Sequence, residues 1–146
     1  MKGNAMALMY RTTLFFITLS GFAQMPVFKR YYIADIPGLG WLAQFYVTHG
    51  IHYIAACVLL GLSGYAVTTW VLNRRPPADL TMAGRIKGLM ITGLIVSGSL
   101  MVMRNMPGIY FSHMTIHLMN IFHLACCIAL LIVSGVTLMA RKGWVH

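Results

Sequence analysis

The chain has 146 residues, of which 59% are apolar, and its only acidic side chains are Asp35 and Asp79. The mean hydropathy of +0.76 lies far outside the range of soluble domains and predicts a membrane protein. The net charge of +9 does not indicate nucleic-acid binding, because the basic residues occur singly or in pairs between apolar runs and form no basic stripe.

Long charge-free runs occur four times along the chain, and a spanning helix needs about 20 mostly apolar residues. We therefore predict an all-α membrane protein of one domain, a bundle of four transmembrane helices. The spans are placed near residues 8–28, 42–72, 84–104 and 112–140. The third span is short, so we expect Arg85, Lys87 and Arg104 to extend their charged groups to the interfaces.

Basic residues between the spans predict the orientation of the chain. The side that carries both termini and the Asn73–Lys87 loop has more of them, namely Lys2, Arg11, Arg74, Arg75, Arg85, Lys87, Arg141 and Lys142. The other side has Lys29, Arg30 and Arg104. The positive-inside rule therefore places both termini in the cytoplasm, and the second and fourth spans begin at the outer face.

Turn and capping residues separate the spans. Pro37-Gly38-Leu39-Gly40 and Met106-Pro107-Gly108 are predicted to break the two outer connections, and Ser112 is predicted to cap the fourth helix. Each span also contains a Ser-Gly pair, at 20–21, 63–64, 97–98 and 134–135. Small residues allow close packing of membrane helices, which is the interpretation we favour, or they leave room for a flat cofactor.

Five of the six histidines lie near the start of the second and fourth spans, where an ionisable side chain suggests a functional site. If these spans begin near Leu42 and Ser112, the helical rise places His52 about 15 Å and His123 about 16 Å along their helices. His49 and His117 also match in depth to within about 3 Å. On this count His113 lies almost at the surface.

Two neutral imidazoles on parallel helices are what bis-histidine ligation of a haem iron requires. His52 and His123 are the predicted axial ligands. For the shallower His49, His113 and His117, the alternatives are a hydrogen bond to lipid or water, a quinone contact, a proton relay or a second haem. Asn120 shares the helix face of His113 and His117. A zinc site is disfavoured, since no cysteine lies in register with these histidines.

The four spans, the paired histidines and the His-Leu-Ala at His123 resemble the four-helix membrane cytochromes b, such as the cytochrome b subunits of formate dehydrogenases and nickel-iron hydrogenases. In that family an inner haem uses one histidine early in the first span and another about 14 residues after the outer ligand in the fourth. The corresponding positions here, near Leu14 and Thr137, have no histidine. The resemblance thus implies one outer haem b in preference to two, and the lack of Cys-x-x-Cys-His excludes covalent attachment.

The resemblance further implies an electron-transfer subunit of a respiratory complex in a bacterial or archaeal inner membrane, and not an enzyme by itself. Such a subunit exchanges electrons between quinone in the bilayer and an iron-sulfur protein or a multihaem cytochrome c. Arg104 is the predicted partner of the haem propionates, and His49, His113, His117 and Asn120 are the candidate quinone pocket. The alternative functions are a non-redox membrane anchor or assembly subunit and a small proton or metal-ion conductor.

Overall fold

The computed structural model describes residues 2–25, 32–72 and 81–140, and its long elements are four α-helices. These are α1 (Lys2–Ala23), α2 (Phe45–Leu72), α3 (Met82–Met103) and α4 (His113–Met139). No strand occurs in this part of the chain. All four helices are long and apolar enough to cross a membrane, which confirms the predicted all-α, multi-pass class.

The helix bounds differ most from the prediction in the first hairpin. α1 begins and ends about one and a half turns earlier than the predicted 8–28, because the helix continues through Arg11 and its polar N-terminal residues. α2 begins at Phe45 and not near residue 42, because Gly40–Ala43 forms a short 3-10 turn. Leu42 in that turn is buried, with only 2% of its surface exposed.

The helices divide into two compact units, Met1–Arg74 and Arg75–His146. In the first hairpin α1 packs antiparallel against α2, and in the second hairpin α3 packs antiparallel against α4. Small and polar side chains make up much of each contact, as expected where helices approach closely in a membrane. The buried residues are Thr13, Ser20, Ala23, Thr48, Ala55 and Leu59 in the first hairpin and Gly84, Lys87, Ser97, Met119, Cys126, Leu130 and Thr137 in the second.

The predicted turn and cap residues end the helices as expected. Gly38 and Gly108 have positive φ angles of 88° and 85°, a conformation that suits glycine. Ser112 caps α4, because its hydroxyl oxygen accepts a hydrogen bond from the Thr115 N–H at 3.2 Å. At the start of α3, Thr81 caps the helix in the same way, accepting from the Gly84 N–H at 3.0 Å.

The charged residues of the third span differ in exposure. Arg85 is exposed, and Arg104 is partly exposed where α3 ends. Lys87 is only 6% exposed, and its extension to the membrane interface stays a prediction. It lies one turn after the buried Gly84 on the same side of α3, which explains its burial. The topology-setting Lys29, Arg30, Arg74, Arg75, Arg141 and Lys142 lie outside the described residues, and the cytoplasmic position of the termini stays a prediction.

Candidate functional site

In the first hairpin, His52 of α2 is held by the C-terminal part of α1. Its Nδ1 lies 3.1 Å from Ser20 Oγ and 3.1 Å from the carbonyl oxygen of Ile17. Gly21 lets the ring come this close, because a Cβ atom on Gly21 would lie 3.3 Å from His52 Cε1. Ser20 itself is 1% exposed. The imidazole is therefore fixed by one Ser-Gly pair through a hydrogen bond and a close contact.

The second hairpin holds His123 in the same way. Nδ1 of His123 lies 2.7 Å from Oγ of Ser97, which is 2% exposed. The next residue of α3 is Gly98, where a Cβ atom would lie 3.6 Å from His123 Cε1. Two of the four Ser-Gly pairs thus each receive a histidine from the neighbouring helix, a role that neither predicted explanation of these pairs included.

The hydrogen bonds of His52 assign its tautomer. The Ile17 carbonyl can only accept, so Nδ1 of His52 carries the proton, and in the neutral ring the lone pair is on Nε2. At His123, the Ser97 hydroxyl lies 2.7 Å from both Gly93 O and His123 Nδ1, and its one hydrogen can be donated to either.

The surroundings of the two histidines repeat along α2 and α4. Four residues before each histidine is a buried side chain, Thr48 or Met119. Two more buried side chains follow each histidine by three and seven residues. They are Ala55 and Leu59 in α2 and Cys126 and Leu130 in α4. The same face of each helix therefore packs against the preceding helix, with its histidine at the same place. The two hairpins therefore share the same spacing of buried positions around a histidine.

The observed helix starts change the estimated depth of the two histidines. His52 is seven residues after Phe45, or about 10.5 Å along α2, and His123 is ten residues after His113, or about 15 Å along α4. The sequence analysis predicted more similar depths for His52 and His123, because it counted the depth of His52 from Leu42. The difference is less than one helical turn of about 5.4 Å.

His49 occupies a separate cluster on the first hairpin. Its Nδ1 lies 3.2 Å from Gln24 Oε1, and its ring stacks on Phe45 with centroids 5.0 Å apart. Tyr53 meets the same ring edge-on at 4.4 Å. Because Gln24 also donates from Nε2 to the Ser20 carbonyl at 3.3 Å, one short segment of α1 positions both His49 and His52.

The remaining predicted site residues belong to the second hairpin. His113, His117 and Asn120 are exposed on α4, and within the described residues their side chains make no hydrogen bond to protein. Arg104 follows the last residue of α3, and its backbone N–H bonds to the Leu100 carbonyl at 3.0 Å. Of the predicted quinone-pocket residues, His49 alone has a side-chain hydrogen bond or ring contact to protein within the described residues.

Sequence analysis missed that Ser20, Ser97 and Gln24 contact the candidate histidines. A usable signal exists in α2 and α4, since a Ser-Gly pair begins eleven residues after both His52 and His123. That shared spacing aligns α2 with α4. Comparing the corresponding first helices then aligns the pair at Ser20 with the pair at Ser97.

Metal-ligating side chains do not form a cluster in the described part of the chain. Within residues 2–25, 32–72 and 81–140, no three histidine, cysteine, aspartate or glutamate side chains come together as ligands of a metal ion. All three cysteines are free thiols, and Cys126 is buried as a small core residue.

Comparison with known proteins adds no relative. Neither a protein-family model, nor a curated protein, nor a solved structure matches the chain. The resemblance to membrane cytochromes b thus stays a prediction from the four spans and their histidines.

Proposed function

We propose that this chain is a membrane-embedded b-type cytochrome subunit that carries electrons between quinone and a redox partner on the outer side of the membrane. One observation supports this proposal above the others: each hairpin holds a histidine through a contact between Nδ1 and a buried serine hydroxyl. An arrangement that offers one imidazole per hairpin suits a cofactor with two axial positions.

The residues present fit a haem b ligated by His52 and His123. An axial imidazole must offer an unprotonated nitrogen, and its second nitrogen is normally hydrogen-bonded, which fixes the ring orientation. Ser20 and Ser97 provide that second contact. When bound, haem supplies reversible one-electron transfer. The protein's part is to orient both rings and to exclude water.

The other features of the proposal follow from the sequence. The lack of histidines near Leu14 and Thr137 favours one haem, and Arg104 is the proposed partner of a propionate. We propose that His113, His117 and Asn120 lie towards the outer end of the fourth span and line a quinone pocket. Most of the described residues belong to the four apolar helices, and we propose that the chain works with a larger subunit, an iron-sulfur protein or a multihaem cytochrome c.

The haem is tested on protein purified from membranes. We expect a b-type signal in the reduced-minus-oxidised spectrum, with about one haem per chain. His52→Ala and His123→Ala should each abolish it, whereas Cys57→Ala should retain it. Full haem content in both histidine variants would contradict the ligand assignment. Loss of half of the haem in each variant would instead indicate that His52 and His123 each ligate a separate haem, together with the same histidine of a second copy of the chain.

The alternatives make different predictions in the same preparation. Wild-type protein with no b-type signal would favour a membrane anchor or a small ion conductor. The orientation is tested separately by a reporter fused after His146, which we expect to be active on the cytoplasmic side only. Activity on the outer side would reverse the positions assigned to all five histidines.

A further inference from the structure

We propose that the His49 cluster of the first hairpin, formed by Gln24, Phe45, His49 and Tyr53, binds the head group of a hydroquinone. This inference rests on the proposed function for the choice of quinone as substrate. It places the binding site within one hairpin and assigns each of the four residues a contact.

The hydrogen bonds around His49 leave one acceptor nitrogen facing away from α1. Gln24 donates from Nε2 to the Ser20 carbonyl at 3.3 Å, so its Oε1 is the atom that meets His49 Nδ1 at 3.2 Å. An amide oxygen only accepts, and therefore Nδ1 carries the proton. Nε2 of His49 holds the lone pair, and it has no protein partner among the described residues.

Aromatic rings flank this nitrogen on a face that α1 does not cover. Phe45 lies nearly parallel to the imidazole at 19°, and Tyr53 meets it at 61°. The spacing of four residues places all three rings on one side of α2. Phe45 is 52% and Tyr53 39% exposed. A planar ring that approaches from the lipid can therefore contact aromatic surface and His49 Nε2 together.

A polar atom of Tyr53 supports the same ligand. Within the described part of the chain the Tyr53 hydroxyl makes no hydrogen bond to protein. Polar groups that face hydrocarbon without a partner are costly. His49 Nε2 accepts and the Tyr53 hydroxyl can donate, which matches the hydroxyl groups of a hydroquinone and the carbonyls of its oxidised form.

The same face of α2 continues as an apolar surface suited to an isoprenoid tail. Leu60 and Val67 follow His49 at helical spacing, and they are 46% and 61% exposed. Neither the second hairpin's His113 nor its His117 has an aromatic stack or a hydrogen-bonded orienting group in the described residues. Of the predicted quinone-pocket histidines, His49 therefore has the geometry of a built site.

The test uses the full-length, haem-loaded protein in lipid nanodiscs and two photoreactive probes, an azido-benzoquinone and an azido-naphthoquinone with short isoprenoid tails, both reduced before use. We expect at least one probe to label α2 near His49. His49→Leu should weaken labelling about tenfold, the effect of one lost hydrogen bond of about 1.4 kcal/mol. Tyr53→Phe should weaken it several-fold, whereas the matched control Tyr65→Phe, at another exposed tyrosine of α2, should not.

The haem spectrum is recorded on every variant to separate this inference from the proposed function. Unchanged haem with lost labelling in His49→Leu supports the site. Loss of haem in His49→Leu would overturn it, because His49 would then be a ligand. Labelling that depends on His117 and not on His49 would also overturn it. Labelling at His49 in wild-type protein that contains no haem would support the site while contradicting the cytochrome.

Discussion

Gly21 offers the most direct test of how the first hairpin holds its histidine. A Cβ atom at Gly21 would lie 3.3 Å from His52 Cε1 and 3.6 Å from Nδ1. Carbon atoms pack best at about 3.5–4.0 Å, so in Gly21→Ala the imidazole must retreat by about 0.3 Å. The hydrogen bond from Nδ1 to Ser20 Oγ is already 3.1 Å long, and a shift of this size takes it beyond the usual range of about 2.7–3.2 Å.

The expected cost follows from that lost hydrogen bond. The hydrogen bond contributes about 0.5–1.5 kcal/mol to the free energy of unfolding, and this contribution is weakened. Replacing a helical glycine by alanine raises the free energy of unfolding by about 1 kcal/mol, because alanine has the higher helix propensity. The helical gain is common to all glycine-to-alanine variants, so it cancels when Gly21→Ala is compared with Gly64→Ala. The Gly64 position has open space, with no atom within 4 Å. We expect Gly21→Ala to be about 0.5–1.5 kcal/mol less stable than Gly64→Ala.

Reversible unfolding in mixed micelles measures this difference, and ¹⁵N NMR of labelled histidine measures the change at Nδ1. Gly98→Ala is the matched variant of the second hairpin. Its Cβ would lie 3.6 Å from His123 Cε1, an ordinary contact, so its stability should be close to that of Gly64→Ala. Equal stability of Gly21→Ala and Gly64→Ala, together with an unchanged His52 resonance, would refute this reasoning. A larger loss of stability in Gly98→Ala than in Gly21→Ala would also refute it.

The remaining predictions concern packing and thiol exposure. In Gly93→Ala the new Cβ would lie 3.1 Å from Cys126 Sγ, so overpacking should lower the free energy of unfolding by about 1–3 kcal/mol, whereas Gly88→Ala, in open space, should not. Adding Cys126→Ala should restore part of the loss in unfolding experiments, and no recovery would show that another contact is responsible. In detergent, N-ethylmaleimide should label the exposed Cys57 faster than the buried Cys126, as followed by mass spectrometry, and equal rates would contradict the packing of the second hairpin.

Much of the fold could be predicted from the sequence, because a helix that crosses the bilayer needs an apolar run of a certain minimum length. Four apolar runs gave four helices, and α3 and α4 agree with the predicted spans to within two residues. The ends of α1 were less predictable, since a helix can continue beyond hydrocarbon and hydropathy does not detect this. Leu42 and Ala43 were assigned to α2 because they are apolar, although they belong to the 3-10 turn Gly40–Ala43.

The histidines could be singled out from the sequence, but their partners could not. An ionisable residue stands out in an apolar span, whereas Ser20 and Ser97 are two of many small polar residues in the helices. Which serine meets which histidine depends on the register between α1 and α2 and between α3 and α4. Apolar residues surround all faces of these helices, so local periodicity carries no information about that register.

Differences between the two hairpins distinguish the two proposed roles. The contact between a Ser-Gly pair and a histidine occurs in both hairpins, and each of these histidines is one of the two proposed haem ligands. The His49 cluster occurs in the first hairpin but not in the second. When His52 is aligned with His123, the positions of His49 and Tyr53 correspond to Asn120 and Leu124 in α4. A ligand bound by that cluster contacts one hairpin. Variants at His49 and Tyr53 should therefore affect quinone binding and leave the haem in place, whereas variants at either member of the shared serine-histidine pair should change the haem.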